Sequence, residues 1–157
     1  MFRKLISTEN DAATAILRLA LGVVFFAHGA QKMLGWFGGD GFNGTMGFFT
    51  KTMHIPALFA ILAIAAEFFG GLGLIVGLLS RVAALGIALN MLVAIAMVHY
   101  QFGFFMNWFG TQKGEGYEYH VLAVGMAVLV TVRGAGAASL DRALTAEIGR
   151  ASCRERV

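Results

Sequence analysis

Residues 55–79 read IPALFAILAIAAEFFGGLGLIVGLL and contain a single charged residue, Glu67. An α-helix needs about 20 mostly apolar residues to cross a hydrocarbon core about 30 Å thick. This stretch meets that requirement, and its glycines are tolerated in membrane helices because small residues let neighbouring helices approach closely. It therefore predicts a helix that spans a membrane.

Three other stretches extend this prediction to four spans. Residues 12–33 are mostly apolar, residues 82–98 carry no charge, and residues 117–132 are apolar but shorter. Because only residues 80–81 separate the second span from the third, we expect a tight turn there and an antiparallel pair. The sequence predicts an all-α integral membrane protein, a four-transmembrane-helix antiparallel bundle.

The composition of the whole chain agrees with a membrane protein. Of the 157 residues, 58% are hydrophobic and 13% are charged, whereas soluble domains average about 45–50% and about 25%. The shortage of charge argues against a disordered chain, a nucleic-acid-binding module and an ordinary soluble enzyme.

Basic residues are distributed unevenly between the two sides of the predicted bundle. With the N-terminus inside, the inner segments carry Arg3, Lys4, Arg81, Arg133 and Arg142. The outer loops carry Lys51 and Lys113, with Lys32 at the edge. Since cytoplasmic loops are enriched in Lys and Arg, the sequence predicts an N-in, C-in orientation.

The C-terminal tail differs from the rest of the chain. We divide the chain into an inner N-terminal segment (1–11), a membrane domain (12–144) and a tail (145–157). Residues 148–157 read IGRASCRERV, and the last nine of these can be translated from a common sequencing adapter. Our hypothesis is that these ten residues are not native; the alternative is a genuine basic C-terminus. Without them the formal charge of +3 falls to +1 and the one cysteine is lost.

Motifs in order along the chain resemble the DoxX family. They are RLALG at 18–22, FFAHGAQKM at 25–33, EFFGGLGLIVGL at 67–78, Arg81, Glu118 and GAGAASLD at 134–141. The resemblance covers about residues 12–144, with one departure at Ala135, where relatives often have proline. It implies a four-helix bundle in the bacterial plasma membrane. Some relatives are described as small subunits of a thiosulfate:quinone oxidoreductase, and others as parts of membrane complexes linked to sulfur and redox stress, while many have no assigned activity.

Ionisable residues inside the predicted spans are candidate functional residues, because each costs at least about 2.5–3.5 kcal/mol on insertion scales. Glu67 lies near the middle of the second span, and Arg18 and His28 of the first span are its expected partners. We predict that Glu67 and His28 are catalytic, with Glu67 as a proton-carrying carboxyl group. The alternative is a buried Arg–Glu or His–Glu pair that fixes the helix register.

Together these residues predict a polar pocket that opens to the outer side. Its floor would be Glu67 and Arg18, and aromatic loops would form its rim. A quinone suits such a pocket, because its ring stacks on aromatic side chains and its carbonyl oxygens accept hydrogen bonds. The predicted substrate- or quinone-binding residues are Arg18, Lys32, Asn90, His99, Trp108, Glu118 and His120. Interhelical hydrogen bonding is the alternative role for Asn90, and contact with interfacial water is the alternative for the histidines.

Glycines on the first two spans are predicted to allow close helix packing. These structural positions are Gly22, Gly29, Gly70, Gly71, Gly73 and Gly77. No metal site is expected, since the chain has no cysteine outside its tail and no H-x-x-x-H pair. No intrinsic cofactor is expected either, since the chain has no C-x-x-C-H motif and no G-x-G-x-x-G after a strand.

The sequence thus favours a bacterial inner-membrane, multi-pass subunit of a quinone-linked oxidoreductase. Its expected partners are the lipid bilayer, a soluble redox enzyme and further copies of the chain, with no nucleic acid. Two alternatives stay open: a non-catalytic scaffold that anchors redox enzymes, and a transporter of small solutes or ions.

Overall fold

The computed structural model describes residues 2–154, and the side chains of residues 4–148. That part of the chain is helical and contains no strand, which confirms the all-α prediction. The α-helices are α1 (Phe2–Ile6), α2 (Ala12–Leu34), α3 (Gly41–Gly47), α4 (Ala57–Val76), α5 (Ser80–Ala94), α6 (Glu118–Arg133) and α7 (Leu140–Arg154). Two π-helical turns, Phe48–Thr52 and Ile95–His99, and two 3-10 turns, Trp36–Gly38 and Tyr100–Phe102, complete the structure. Residues 155–157 of the tail lie outside the described residues, and the hypothesis of a non-native tail stays a prediction.

Three helical segments are long and apolar enough to cross a membrane. They are Ala12–Leu34, Ala57–Val76 and Ser80–Phe102, and they coincide with the first three predicted spans. The fourth helix, α6, has 16 residues, which give a length of about 24 Å at 1.5 Å per residue. Because this is shorter than a hydrocarbon core of about 30 Å, the fourth span stays a prediction. The N-in, C-in orientation also stays a prediction.

The four long helices form a closed ring of neighbours. Helix α2 packs against α4, α4 against α5, α5 against α6 and α6 against α2. Helices α2 and α4 run antiparallel, because Gly22 and Gly29 of α2 face Ile75 and Phe68 of α4 in reverse order. A buried apolar core fills the ring, and its members are Leu21, Phe25, Leu74, Ala84, Ile87, Ala88, Met91, Ala123, Ala127 and Val130.

Glycines account for the close approach of α2 and α4. A Cβ atom on Gly22, Gly29 or Gly71 would be too close to atoms of the facing helix, so any larger residue would push the two helices apart. Gly70 differs, because its Cβ would meet nothing nearer than 3.6 Å, and at Gly73 the nearest atom would be 3.1 Å away. Close packing therefore depends on three of these glycines, and Gly70 is not one of them.

The turn between α4 and α5 lies just before the predicted position at residues 80–81. Gly77 (φ 72°) and Leu79 (φ 49°) adopt the left-handed conformation, and Ser80 already begins α5. The Asp141 carboxylate accepts the backbone N–H groups of Leu79 at 2.7 Å and Ser80 at 2.9 Å. Since the capping group is 61 residues from Ser80 in sequence, no local signal marked the start of this helix.

Candidate functional site

Glu67 is the centre of a polar network that joins three helices. Its side chain is buried, with 5% of the residue exposed. Lys32 of α2 forms an ion pair with Oε2, and Asn90 of α5 donates from Nδ2 to Oε1 at 2.9 Å. The structure thus places Lys32 and Asn90 against this carboxylate, instead of the expected Arg18 and His28. The hydrogen bond from Asn90 is the interhelical bond that was considered for it from the sequence.

The ion pair explains how the bundle can hold a charged group. A buried carboxylate is expensive unless a cation and hydrogen bonds compensate it, and here Lys32 supplies the cation and Asn90 supplies a second donor. Lys32 keeps 26% of its side chain exposed whereas Glu67 keeps 7%, so the network reaches the surface through the lysine. The arrangement can carry a proton on the carboxyl group and can respond to a ligand that contacts Lys32.

Arg18 forms a second and separate network. The residue is 1% exposed, and its guanidinium donates to the carbonyl groups of Leu74 and Ile75 at the end of α4, the latter at 2.9 Å. It also donates to Ala135 at 2.8 Å and to Ala138 at 3.1 Å, in the loop before α7. Because the last carbonyl groups of a helix have no partner within it and attract cations, Arg18 caps α4 and ties it to that loop.

Arg18 therefore does not form the floor of a pocket with Glu67. Arg18 and Lys32 are 14 positions apart on α2, which corresponds to about 21 Å along the helix axis. The guanidinium of Arg18 is instead hydrogen-bonded to the carbonyl groups at the end of α4. The sequence could not show that the end of this helix packs against Arg18. Arg18 makes no contact with the Glu67 network among the described hydrogen bonds, so its predicted role in ligand binding stays a prediction.

Two histidines lie side by side where the π-helical turn Ile95–His99, which follows α5, ends and where α6 begins. The rings of His99 and His120 have centroids 4.0 Å apart, with their planes inclined at 41°. Nδ1 of His99 lies 2.8 Å from the carbonyl oxygen of Glu115. His120 is buried, and among the described residues its Nδ1 has no hydrogen-bond partner. His28 is exposed on α2, so the predicted catalytic histidine is not enclosed by the bundle.

Glu118 and Trp108 hold the loop that precedes α6. Oε1 of Glu118 accepts the backbone N–H of Met106 and the indole N–H of Trp108, both at 3.1 Å. The backbone N–H of Glu118 donates to the carbonyl group of Phe104 at 2.8 Å. Trp108 remains 79% exposed, so the loop presents its ring at the surface while the carboxylate anchors it.

Two polar residues with defined contacts were not singled out from the sequence. The ring centroid of Tyr119 lies 5.7 Å from that of His120, with the two planes nearly perpendicular at 84°. Asp141, which is 1% exposed, caps α5. For Tyr119 the sequence signal was only its place beside His120; for Asp141 it was only a carboxylate at the end of the motif GAGAASLD. Among the described residues, no group of three or more His, Cys, Asp or Glu side chains is arranged to hold a metal ion.

Comparisons with known proteins agree on one family. The DoxX family profile matches residues 13–100. The chain is 31% identical over 97 residues to a Bacillus subtilis (strain 168) protein named "Putative oxidoreductase CatD", covering 62% of this chain and 67% of that protein. It is 28% identical over 135 residues to "Inner membrane protein YqjF" of Escherichia coli (strain K12), covering 86% of this chain and 94% of that protein. No solved structure gives a significant match. On the profile match over more than half of its length, the chain belongs to the DoxX family of membrane proteins.

Proposed function

We propose that this protein is the membrane subunit of a quinone-linked oxidoreductase in the bacterial plasma membrane, and that its polar site is centred on Glu67. The observation that carries the proposal is the buried carboxylate held by Lys32 and Asn90 from two neighbouring helices. Ionisable groups inside membrane helices are rare and mark proton or substrate pathways. The name of the Bacillus subtilis relative refers to an oxidoreductase, which supports redox chemistry.

Polar groups of the network and of the histidine pair suit a quinone. The carbonyl oxygens of a quinone need hydrogen-bond donors, and the part-exposed Lys32 ammonium group is one. The buried Nδ1 of His120, which has no partner among the residues that the structure describes, is the atom that a ligand would satisfy. When bound, a quinone supplies an acceptor for two electrons and two protons.

Each residue of the network then has a distinct task. The Glu67 carboxylate accepts a proton and passes it on close to the ligand, and Lys32 stabilises its charged form between transfers. Asn90 fixes the orientation of the carboxylate. The adjacent pair of His99 and His120 relays protons between the network and the end of the bundle. The electrons come from a soluble redox partner at the membrane surface, since the chain carries no motif for a flavin, haem or nucleotide.

The experiment separates binding from proton transfer. The purified chain is titrated with a short-chain ubiquinone analogue while its tryptophan fluorescence is recorded. Quinone reduction is measured in membranes that contain the chain, with the soluble cell fraction added as the source of electrons. We expect saturable quenching in the wild type. In Glu67→Gln we expect similar binding but a reduction rate lower by about 100-fold, the usual contribution of a positioned acid or base. If the ion pair were only structural, Glu67→Gln would not lower the reduction rate while leaving quinone binding unchanged.

Glu147→Gln is the matched control, because Glu147 is an exposed glutamate on α7; it should leave both readouts unchanged. His28→Ala tests the other predicted catalytic residue in the same assays. Quenching that does not saturate, or an unchanged rate in Glu67→Gln, would overturn the proposal. Solute uptake into proteoliposomes that needs Glu67 but no quinone would identify a transporter, and enzymes that co-purify with a chain unable to bind quinone would identify a scaffold.

A further inference from the structure

A cleft of about 430 Å³ lies at the end of the bundle opposite the Glu67 network. The segment before α2 forms one wall, with Glu9 and Asp11, and the start of α5 and the end of α6 form the other, with Arg81, Val132 and Arg133. Its volume falls in the range of about 300–1,000 Å³ that is typical of small-molecule sites. We call it the end cleft.

The charges of the end cleft balance: two guanidinium groups face two carboxylates. Arg81 is part of the frame, because it donates to the carbonyl groups of Ser7 at 3.1 Å and Thr131 at 2.7 Å. Arg133 is available, since it is 59% exposed and its contact with Asp11 is long, at 3.4 Å. A simple anion would be repelled by the carboxylates and a simple cation by the arginines. The site therefore suits a ligand that carries both charges.

The position of the end cleft points to a lipid. Asp11 caps α2, and the first candidate membrane span starts at the next residue, Ala12. The cleft thus lies at the boundary of the hydrocarbon core. Val132 lines the cleft and is 68% exposed, so an apolar surface begins at its edge. A ligand with its polar group in the cleft can lay acyl chains along this surface.

We propose that the end cleft binds the headgroup of a phospholipid that carries both a phosphate and an ammonium group, as phosphoethanolamine lipids do. The phosphate contacts Arg133, because guanidinium groups match phosphate oxygens with two parallel hydrogen bonds. The ammonium group contacts the carboxylates of Glu9 and Asp11. The site is independent of the quinone proposal, because it lies on other residues at the other end of the helices.

The test uses the purified full chain and native mass spectrometry, with phosphatidylethanolamine, phosphatidylglycerol and soluble glycerophosphoethanolamine as probes. We expect phosphatidylethanolamine to bind most tightly, since phosphatidylglycerol lacks the ammonium group and glycerophosphoethanolamine lacks the acyl chains. Arg133→Gln and Glu9→Gln should each weaken its binding about tenfold, the effect of losing one charge-assisted contact. Both residues are exposed, so these variants should fold.

Arg142→Gln is the matched control, because it removes an exposed arginine of α7 that does not line the cleft; it should leave lipid binding unchanged. Equal binding of phosphatidylglycerol would overturn the requirement for an ammonium group. Equal binding of glycerophosphoethanolamine would overturn the assignment to a membrane lipid. Unchanged binding in both cleft variants would overturn the site itself.

Discussion

Replacing Arg18 by methionine tests whether this residue holds the bundle together. Methionine keeps much of the length and removes the guanidinium. The bonds to Ala135 (2.8 Å), Ile75 (2.9 Å) and Ala138 (3.1 Å) all have good lengths. Hydrogen bonds to charged groups contribute about 1.5–3 kcal/mol each, so three such bonds contribute about 5–9 kcal/mol before desolvation is counted.

The net effect is smaller, because the guanidinium itself is desolvated in the bundle and methionine is not penalised in this way. We therefore expect Arg18→Met to lower the free energy of unfolding by about 3–5 kcal/mol, because each buried carbonyl group that loses its donor costs about 1–3 kcal/mol. The carbonyl groups at the end of α4 and in the loop before α7 would be left without donors. Reversible unfolding in mixed micelles, followed by circular dichroism, measures this change.

Three further observations make the test of Arg18 specific. Arg142→Met, at an exposed position, should change the stability by less than about 0.5 kcal/mol. Arg18→Lys keeps the charge but not the forked donor, and we expect it to recover only part of the loss. Quinone binding should persist, since Lys32 lies about 21 Å away along α2. A loss below about 1 kcal/mol in Arg18→Met, or full recovery with lysine, would refute the reasoning.

Two further predictions concern α2. Gly29→Ala should destabilise the bundle by about 1–3 kcal/mol, because the new Cβ would overlap the backbone of Phe68. Thermal unfolding in detergent should show no such loss for the control Gly125→Ala, where a Cβ meets nothing within 4 Å. Equal unfolding midpoints for the two variants would contradict this prediction. A hydrogen bond from the Thr14 hydroxyl group lowers the pKa of Asp11 below its usual 3.8, so its contribution is complete above about that pH and is lost as the pH falls through the lowered value. The advantage of the wild type over Asp11→Asn in thermal unfolding should therefore shrink as the pH falls below 3.8, and a constant difference would exclude this role.

Long apolar stretches allowed the helices to be predicted from sequence. The first predicted span, residues 12–33, differs from α2 by one residue at its end, because a span needs about 20 apolar residues and few charges whatever surrounds it. The Asp11 cap and the left-handed Gly35 that closes α2 are local signals of the same kind. The family motifs were equally readable, since they depend only on the order of residues along the chain.

The candidate site could be predicted only in part. The sequence marked Glu67 and Lys32 as candidates, because charges are rare within spans. It did not show that they form a pair, since they are 35 residues apart. His99 and His120 were both candidates, yet the 4.0 Å distance between their ring centroids depends on how the loop before α6 folds.

By itself, the sequence determined that this chain is an α-helical membrane protein of the DoxX family and which of its buried residues are polar. The tertiary structure decided which of those residues meet. Arg18 caps the C-terminal end of α4 instead of pairing with Glu67, and Asp141, which is 61 residues from Ser80 in sequence, caps the start of α5. The physical reason is that the tendency of a segment to enter a membrane is the sum of the transfer free energies of its own residues, and this sum can be read from the sequence. A buried charge, by contrast, takes whichever partner the packed helices bring within hydrogen-bond distance, and that depends on contacts between distant parts of the chain.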